Sequence, residues 1–456
     1  MCNMQLPKEF QTRISNQLGA DADNLIKSLE DPIPTTIRTN PFKNFRVPDS
    51  VQPIPWCEHG FYLNQRPSFI LDPAFHAGMY YVQEASSMSL DFILKQLHLD
   101  GALALDLCGA PGGKSSLIAS HLWKNNGLLV ANEVIKSRAN ILKENLIKWG
   151  LPNVAVSQLD AAQITKTGLQ FDLIAVDAPC SGEGMFRKDH GARTVWSENT
   201  VQLCSARQKR ILADIVPALK ENGYLIYSTC TFNEEENETN MEWLTNQNDF
   251  TSLRIPFPPE WNIVETSRNG LWGYRFYPHH IKGEGFFVSV LQKNESSAKP
   301  IRLKNPKINT TSGVYDEFVK EGYTNLIHQG EIYSIPKHLT DSASLVLNLL
   351  RVQYIGLKTA EQAGKDFKPH SDLAFNLACQ TGFFRTIELS HLEALHFLKR
   401  DELKFPNEPV GWLKLNYQQC GLGFVKNLGN RSNSQYPKEW IINKSIPSPL
   451  DPPWHH

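Results

Sequence analysis

The sequence predicts an α/β protein built around a doubly wound, Rossmann-like parallel sheet, and three observations carry that expectation. An apolar run over 102–107 contains Asp106 and enters the turn Cys108-Gly109-Ala110-Pro111-Gly112-Gly113-Lys114. A helical pattern through Leu117, Ile118 and Leu122 follows, which reads as strand, loop and helix. Three further apolar runs, 128–133, 154–160 and 171–177, also finish in an acidic residue and are separated by helical periodicity. At 456 residues the chain exceeds what one core usually supports, so flanking modules are expected.

Taken in order, residues 8–29 read as two short helices broken near Gly19 and ended by Pro32 and Pro34. A strand over 36–39 and a loop and strand over 52–63 complete an α+β unit, residues 1–85. A helix is expected from 81 to 97, because Leu90, Ile93, Leu94 and Leu97 share a face. The α/β core spans 86–295, with a helix from about Ser115 and another whose apolar face carries Ile141, Leu142, Leu146 and Ile147. Residues 223–231 read as a fifth strand. A polar, basic linker over 295–311 carries Lys299, Arg302, Lys304 and Lys307 and leads to an α+β module at 296–380, with a helix over 312–323 and a strand over 331–335. The last module, 381–456, contains the hairpin pattern 411–417 and 421–426, and 452–456 read as a disordered tail.

The glycine loop lets backbone N–H groups approach a ligand, and the helix after it offers a positive dipole end. A phosphate-binding P-loop is disfavoured, because its first glycine would fall at Cys108. The four acidic strand ends, Asp106, Glu133, Asp160 and Asp177, fall on the carboxyl rim where open α/β sheets bind ligands. Singly, each reads as a helix N-cap or a solvated residue; together they describe a nucleoside site. Without a phosphate clamp, S-adenosylmethionine fits that rim better than ATP.

Two thiols fall on the same rim. Cys180 follows the strand ending at Asp177, and Cys230 follows the strand over 223–229. At these residues the chain resembles the Nol1/Nop2/Sun family of RNA cytosine-5 methyltransferases, in particular its bacterial 16S ribosomal RNA branch. The resemblance is carried by 106–115, Asn132-Glu133, Asp177-Ala178-Pro179-Cys180-Ser181-Gly182-Glu183-Gly184, Ser228-Thr229-Cys230-Thr231, Arg275-Phe276-Tyr277-Pro278-His279 and 283–288. One departure is Gly109, where the family usually has alanine. The resemblance implies a core that binds S-adenosylmethionine through Cys108, Gly109, Ala110, Pro111, Gly112, Gly113 and Lys114, with Glu133 at its ribose and Asp160 at its adenine edge. Arg138 and Asp177 complete the cofactor set, and no metal is implied. It further implies Cys230 as nucleophile, Cys180 in product release, Asp177 at the target base, and a C-terminal PUA-like RNA-binding module.

The chemistry agrees with those roles. Adding a thiolate to C6 of cytosine makes C5 electron-rich enough to take a methyl group. Asn233 and Glu236 read as a helix start that favours ionisation of Cys230, with Glu234-Glu235-Glu236 as a solvated first turn. A protonated Asp177 would donate to N3, and Cys180 or a water it positions would take the C5 proton. Arg187, Lys188, Arg193, Arg207, Lys209 and Arg210 are candidate RNA contacts or a solvated helix face, and Arg38 is either a polyanion contact or a surface residue.

The net charge of −1 gives no global nucleic-acid signature, so RNA binding must rest on a local basic surface. The eight cysteines form no CxxC pair, and no apolar run is long enough to span a bilayer, so a cytoplasmic monomer is expected. Small-subunit ribosomal RNA is the expected substrate. The alternatives are transfer RNA, a DNA cytosine-5 enzyme using Cys180, and a non-catalytic RNA-binding protein.

Overall fold

The computed structural model describes residues 5–294, 308–364 and 366–455. The basic residues of the expected linker, Lys299 to Lys307, lie outside the described residues, as does His456.

The central sheet contains ten strands: β1 Leu103–Asp106, β2 Leu128–Asn132, β3 Val154–Ser157, β4 Phe171–Asp177, β5 Leu219–Thr229, β6 Phe250–Ser252, β7 Val264–Arg268, β8 Leu271–Phe276, β9 Phe286–Lys293 and β10 Val352–Ile355. Their order is β7-β8-β9-β5-β4-β1-β2-β3-β10, with β6 on β9. Strands β1 to β5 pair in parallel, and every residue of β1, β2 and β3 is buried, as expected of strands covered on both faces. The chain goes from β1 to β2 and β3 on one side and returns to β4 on the other. The strand order therefore reverses between β1 and β4, where Asp106 and Asp177 end.

Helix α1, Gly113–Lys124, follows the loop, and α2, Lys136–Trp149, follows β2. Gly112 precedes α1 with φ +118°, a backbone region that L side chains rarely adopt. On α2, Leu142, Leu146 and Ile147 are buried as expected, whereas Ile141 is exposed.

The N-terminal helices are Lys8–Leu18 and Ala22–Ser28, and a four-stranded sheet follows in the order Gln52–Pro53, Gly60–Leu63, Thr35–Thr39, Tyr80–Val82. Tyr81 and Val82 thus belong to a strand, paired with Arg38 and Ile37, and not to the helix expected from 81 to 97. The Glu84 carboxylate accepts from the Ser86 and Ser87 amides and starts a 3-10 turn, Ser86–Ser89, before the short helix Leu90–Leu94. Arg38 is buried, neither a polyanion contact nor a solvated residue. It donates to Gln83 Oε1, Gly113 O and Ser116 Oγ and lies over the Trp149 ring, so the N-terminal unit fastens the first turn of α1.

A second four-stranded sheet runs Tyr323–His328, Glu331–Pro336, Leu357–Ala363, Asp366–Pro369. The helix expected over 312–323 is only a 3-10 turn, Val314–Phe318; Val319 bridges to Cys379, and Gly322 at φ +93° redirects the chain into the next strand. From the same region β10 leaves to pair antiparallel with β3, Val352 facing Ser157. The last sheet is Arg385–Glu388, Gly411–Tyr417, Cys420–Asn427, Ser432–Ser434, with the expected hairpin at its centre. The tail is docked, against expectation: Trp454 Nε1 donates to Asp72 Oδ2 at 3.0 Å and His455 Nε2 lies 3.2 Å from Asp72 Oδ1.

Candidate active site

Two loops leave the carboxyl ends of the adjacent strands β4 and β5 and bring Cys180 and Cys230 together, Sγ to Sγ 3.2 Å. Their backbones touch: the Gly184 amide donates to Cys230 O at 2.9 Å. A Cβ added at Gly184 would fall 2.8 Å from Gly285 O and 3.0 Å from Cys230 O, so only glycine fits there.

Two buried carboxylates clamp the loops reciprocally. Glu183, on the Cys180 loop, accepts from the Phe232 amide at 2.7 Å and from Trp196 Nε1 at 3.1 Å. Glu236, on the Cys230 loop, accepts from the Ser181 amide at 3.0 Å, Gln208 Nε2 at 2.7 Å and Asn233 Nδ2 at 2.8 Å. Burial raises the Glu236 carboxyl above its ordinary range, opposed by these donors. This corrects the reading of Glu234-Glu235-Glu236 as a solvated first turn: Glu234 and Glu235 are exposed, but Glu236 is fully buried. It also moves the helix. Asn233 Oδ1 does accept from the Glu236 amide at 2.9 Å, but helix α3, Glu238–Gln247, begins only after Asn237, so no helix terminus stands directly beside Cys230.

Cys180 is held as a thiol. Its hydrogen bond with Cys230, then burial, and the nearby Glu236 push its ionisation well above the ordinary range.

Asp177 stands beside this pair. Its Oδ2 meets Lys114 Nζ at 2.9 Å and its Oδ1 accepts from Ser228 Oγ at 2.9 Å. Burial works against the Lys114 charge, but Asp177 outweighs it and holds the ammonium above its usual range. Asp106 is fully buried, which raises its carboxyl to about 6, and it accepts from Ser115 Oγ at 2.6 Å. It serves the loop through Ser115 and is not among the residues that line the cavity beside Lys114.

A cavity of about 180 Å³ is lined by Cys108, Gly109, Ala110, Pro111, Gly113, Lys114 and Asp177, with Glu84 and Lys188 among the residues facing them. Burial, then the nearby carboxylates of Asp106, Asp177 and Glu133, push the Cys108 thiol up. The cradle is tight: a Cβ at Gly109 would fall 2.7 Å from Ser115 Oγ, so the alanine usual in the family would need that hydroxyl to shift. Glu133 and Arg138 lie beside this cavity, where Arg138 Nη2 donates to Ala110 O at 3.0 Å. Glu133 Oε1 accepts from the Ile135 amide, whereas Oε2, buried, has Arg138 Nη1 at 3.1 Å but no aligned hydrogen-bond donor. A buried carboxylate oxygen without a donor fits a ribose hydroxyl, so these residues fit S-adenosylmethionine. Asp160 is exposed and caps the helix Ala161–Lys166 in a box with Gln163.

Of the expected RNA contacts, Arg193 is buried on Glu30, Leu29 O and Phe186 O, and is a structural residue. Arg187 is partly buried; Lys188, Arg207 and Arg210 are exposed. Lys209 lies over the Trp243 ring.

A sheet of this topology puts the chain in the class of S-adenosylmethionine-dependent methyltransferases, and comparison with known proteins makes it an RNA methyltransferase. The chain belongs to the RsmB/F family of 16S rRNA methyltransferases. Residues 94–292 match the family model described as 16S rRNA methyltransferase RsmB/F, 6–85 the N-terminal domain of 16S rRNA methyltransferase RsmF, and 384–442 the methyltransferase RsmF PUA domain. Ribosomal RNA small subunit methyltransferase F of Shewanella oneidensis is 30% identical over 97% of this chain and 98% of its own length. A solved methyltransferase homolog from Pyrococcus horikoshii is 28% identical with TM-score 0.54, covering 64% of this chain and 96% of that one. NSun6 from the same organism, solved with SFG, shares the fold at 20% identity and TM-score 0.55, covering 64% of this chain and all of that one. Among the described residues no helix is long and apolar enough to cross a membrane.

Proposed function

We propose that the protein transfers a methyl group from S-adenosylmethionine to C5 of a cytosine in 16S ribosomal RNA through a covalent adduct between Cys230 and C6. The observation that carries this reading is the pair of thiols 3.2 Å apart beside the Lys114–Asp177 ion pair, on the ligand rim of the sheet. Residues 108–114 with Glu133, Arg138, Asp160 and Asp177 would hold the cofactor, and when bound it supplies the electrophilic methyl that C5 takes. Cys230 adds to C6, and the charge that develops on the ring at N3 is met by the Lys114–Asp177 pair, with Lys114 carrying the proton.

Cys180 removes the C5 proton, directly or through a water, and Cys230 then leaves as thiolate to restore the aromatic ring. One feature of the thiol pair supports that order. The hydrogen bond and the charge of Cys230 are among the influences that keep Cys180 protonated. Once Cys230 is a neutral thioether on C6 both are gone, so Cys180 gives up its own proton to solvent more readily and is available as the thiolate that takes the C5 proton.

We assign residues 1–85, 86–295, 296–380 and 381–456 as N-terminal, catalytic, linking and PUA-like modules of a cytoplasmic monomer, with the last binding RNA. The test is covalent trapping on unmodified 16S ribosomal RNA with S-adenosylmethionine. A denaturation-resistant adduct is expected to accumulate with Cys180→Ala and to be absent with Cys230→Ala. The reverse pattern would make Cys180 the nucleophile.

A further inference from the structure

We propose that a second cavity, the cleft between the N-terminal sheet and the loop 278–282, holds backbone phosphates of the RNA beside the target cytosine. This deepens the reading above and rests on it. The cleft has a volume of about 720 Å³ and is lined by Arg66, Arg187, His279, His280 and Lys282, with no carboxylate among its described lining residues. In a chain of net charge −1 that is a local cationic surface.

The charges are available to a ligand. Arg66 and Lys282 are exposed and lie on aromatic rings, Arg66 over Phe69 at 5.5 Å and Lys282 over Tyr62 at 4.4 Å. Among the described residues neither has an ion-pair partner. Arg187 donates to two backbone carbonyls, Asp31 O at 3.1 Å and Gly283 O at 2.8 Å, which position the guanidinium at the cleft wall without pairing it to a carboxylate. Only the imidazoles are spoken for: His279 and His280 both direct Nε2 at Asp21 Oδ2, 2.8 and 2.7 Å away.

Position joins this cleft to the chemistry. Arg187 faces it, while the next residue, Lys188, lines the smaller cavity with Lys114 and Asp177. Three residues before Arg187, Gly184 donates to Cys230 O, so the cleft wall lies within about 11 Å of chain from the nucleophile's loop. A base can react only when it is out of its stack. One wall of the protein thus separates the cavity beside Lys114 and Asp177, at which the extruded base must arrive, from a cationic cleft for the strand it leaves. Exposed cations beside aromatic rings are also the surface that single-stranded nucleic acid uses.

The experiment compares the wild type with Arg66→Ala/Lys282→Ala, measuring ribosomal RNA affinity against salt, methylation kinetics and S-adenosylmethionine binding. Loss of two single-strand phosphate contacts is expected to make the slope of log K against log salt shallower by about 1.4. KM for RNA is expected to rise about tenfold with kcat within about twofold, as uniform binding is removed. Cofactor binding stays unchanged, and Arg66→Lys/Lys282→Arg restores the wild-type slope. An unchanged slope and KM in the alanine variant, with an active wild type, would overturn the cleft alone. So would an equal loss from Lys124→Glu, whose charge sits at the far end of α1. A wild type that methylates no ribosomal RNA would instead bring down the functional reading on which the cleft depends.

Discussion

Replacing Glu236 with glutamine tests whether the two thiols are held by their carboxylate clamp. The carboxylate accepts three hydrogen bonds, two at Oε2 from Ser181 N and Gln208 Nε2 and one at Oε1 from Asn233 Nδ2. Glutamine can keep the first two with its single oxygen, but its amide nitrogen then faces the Asn233 donor. One charge-assisted bond is lost, worth about 1.5–3 kcal/mol, and the other two weaken toward neutral strength. Relief from burying a charge offsets part of this, the same burial that raises the carboxyl. The net cost is on the order of 2 kcal/mol, roughly thirtyfold in the equilibrium that opens the loops. Hydrogen exchange at the Ser181 amide reads the opening directly, and its protection is expected to fall by roughly that factor. Methyl transfer should fall with it, because the thiols no longer share one geometry. Glu234→Gln is the control: Glu234 is exposed with Arg268 3.5 Å away, and its loss should stay within about 0.5 kcal/mol. If Ser181 protection and turnover in Glu236→Gln both match the wild type, the clamp has no role.

The buried Asp106 makes stability depend on pH. Its folded value of about 6 lies above the unfolded one, so the native state binds the proton more tightly. That contribution is full below about pH 4 and is lost as pH rises through 6, on the order of 2–3 kcal/mol. Asp106→Asn cannot titrate there, so in denaturant unfolding the wild type should lose stability relative to the variant from pH 4.5 to 7; a constant difference would refute this. Gly184→Ala forces a Cβ against two backbone carbonyls and should cost about 1–3 kcal/mol while separating the thiol loops. Unchanged unfolding and unchanged adduct formation would show that the loops yield without cost.

The parallel core was legible because four of its five strands are mostly apolar runs that lead into an acid beside a turn, a local signal repeated along the chain. The N-terminal helices and the 411–426 hairpin were legible for the same reason. Glu236 was not, because what buries it comes from Ser181 and Gln208, 55 and 28 residues away. A run of three glutamates reads as solvent, and nothing within one turn of chain marks the third as different. Arg38 and Arg193 fail in the same way: a charge looks exposed until its carbonyl acceptors are known. Tyr81 and Val82 carried a helix-compatible pattern, yet their ladder to Arg38 and Ile37 decided in favour of a strand. Strand β10 could not be assigned to the central sheet, since an edge pairing across 195 residues leaves no periodic trace. The docked tail depends on Asp72, in another module altogether.

That late pairing of β10 has a consequence for how the chain is born. Strand β3 ends at Ser157 and its outer edge is closed by the segment Val352 to Gly356. During synthesis at about 5–20 residues per second, the core strands emerge roughly 10–40 s before the segment that covers them. For that interval the nascent core presents a bare, apolar sheet edge, the kind of template that captures other chains. A fragment ending near residue 295 would keep this edge permanently, so it should aggregate where the full chain does not. The downstream module is in this sense a part of the core's own solubility, delivered last.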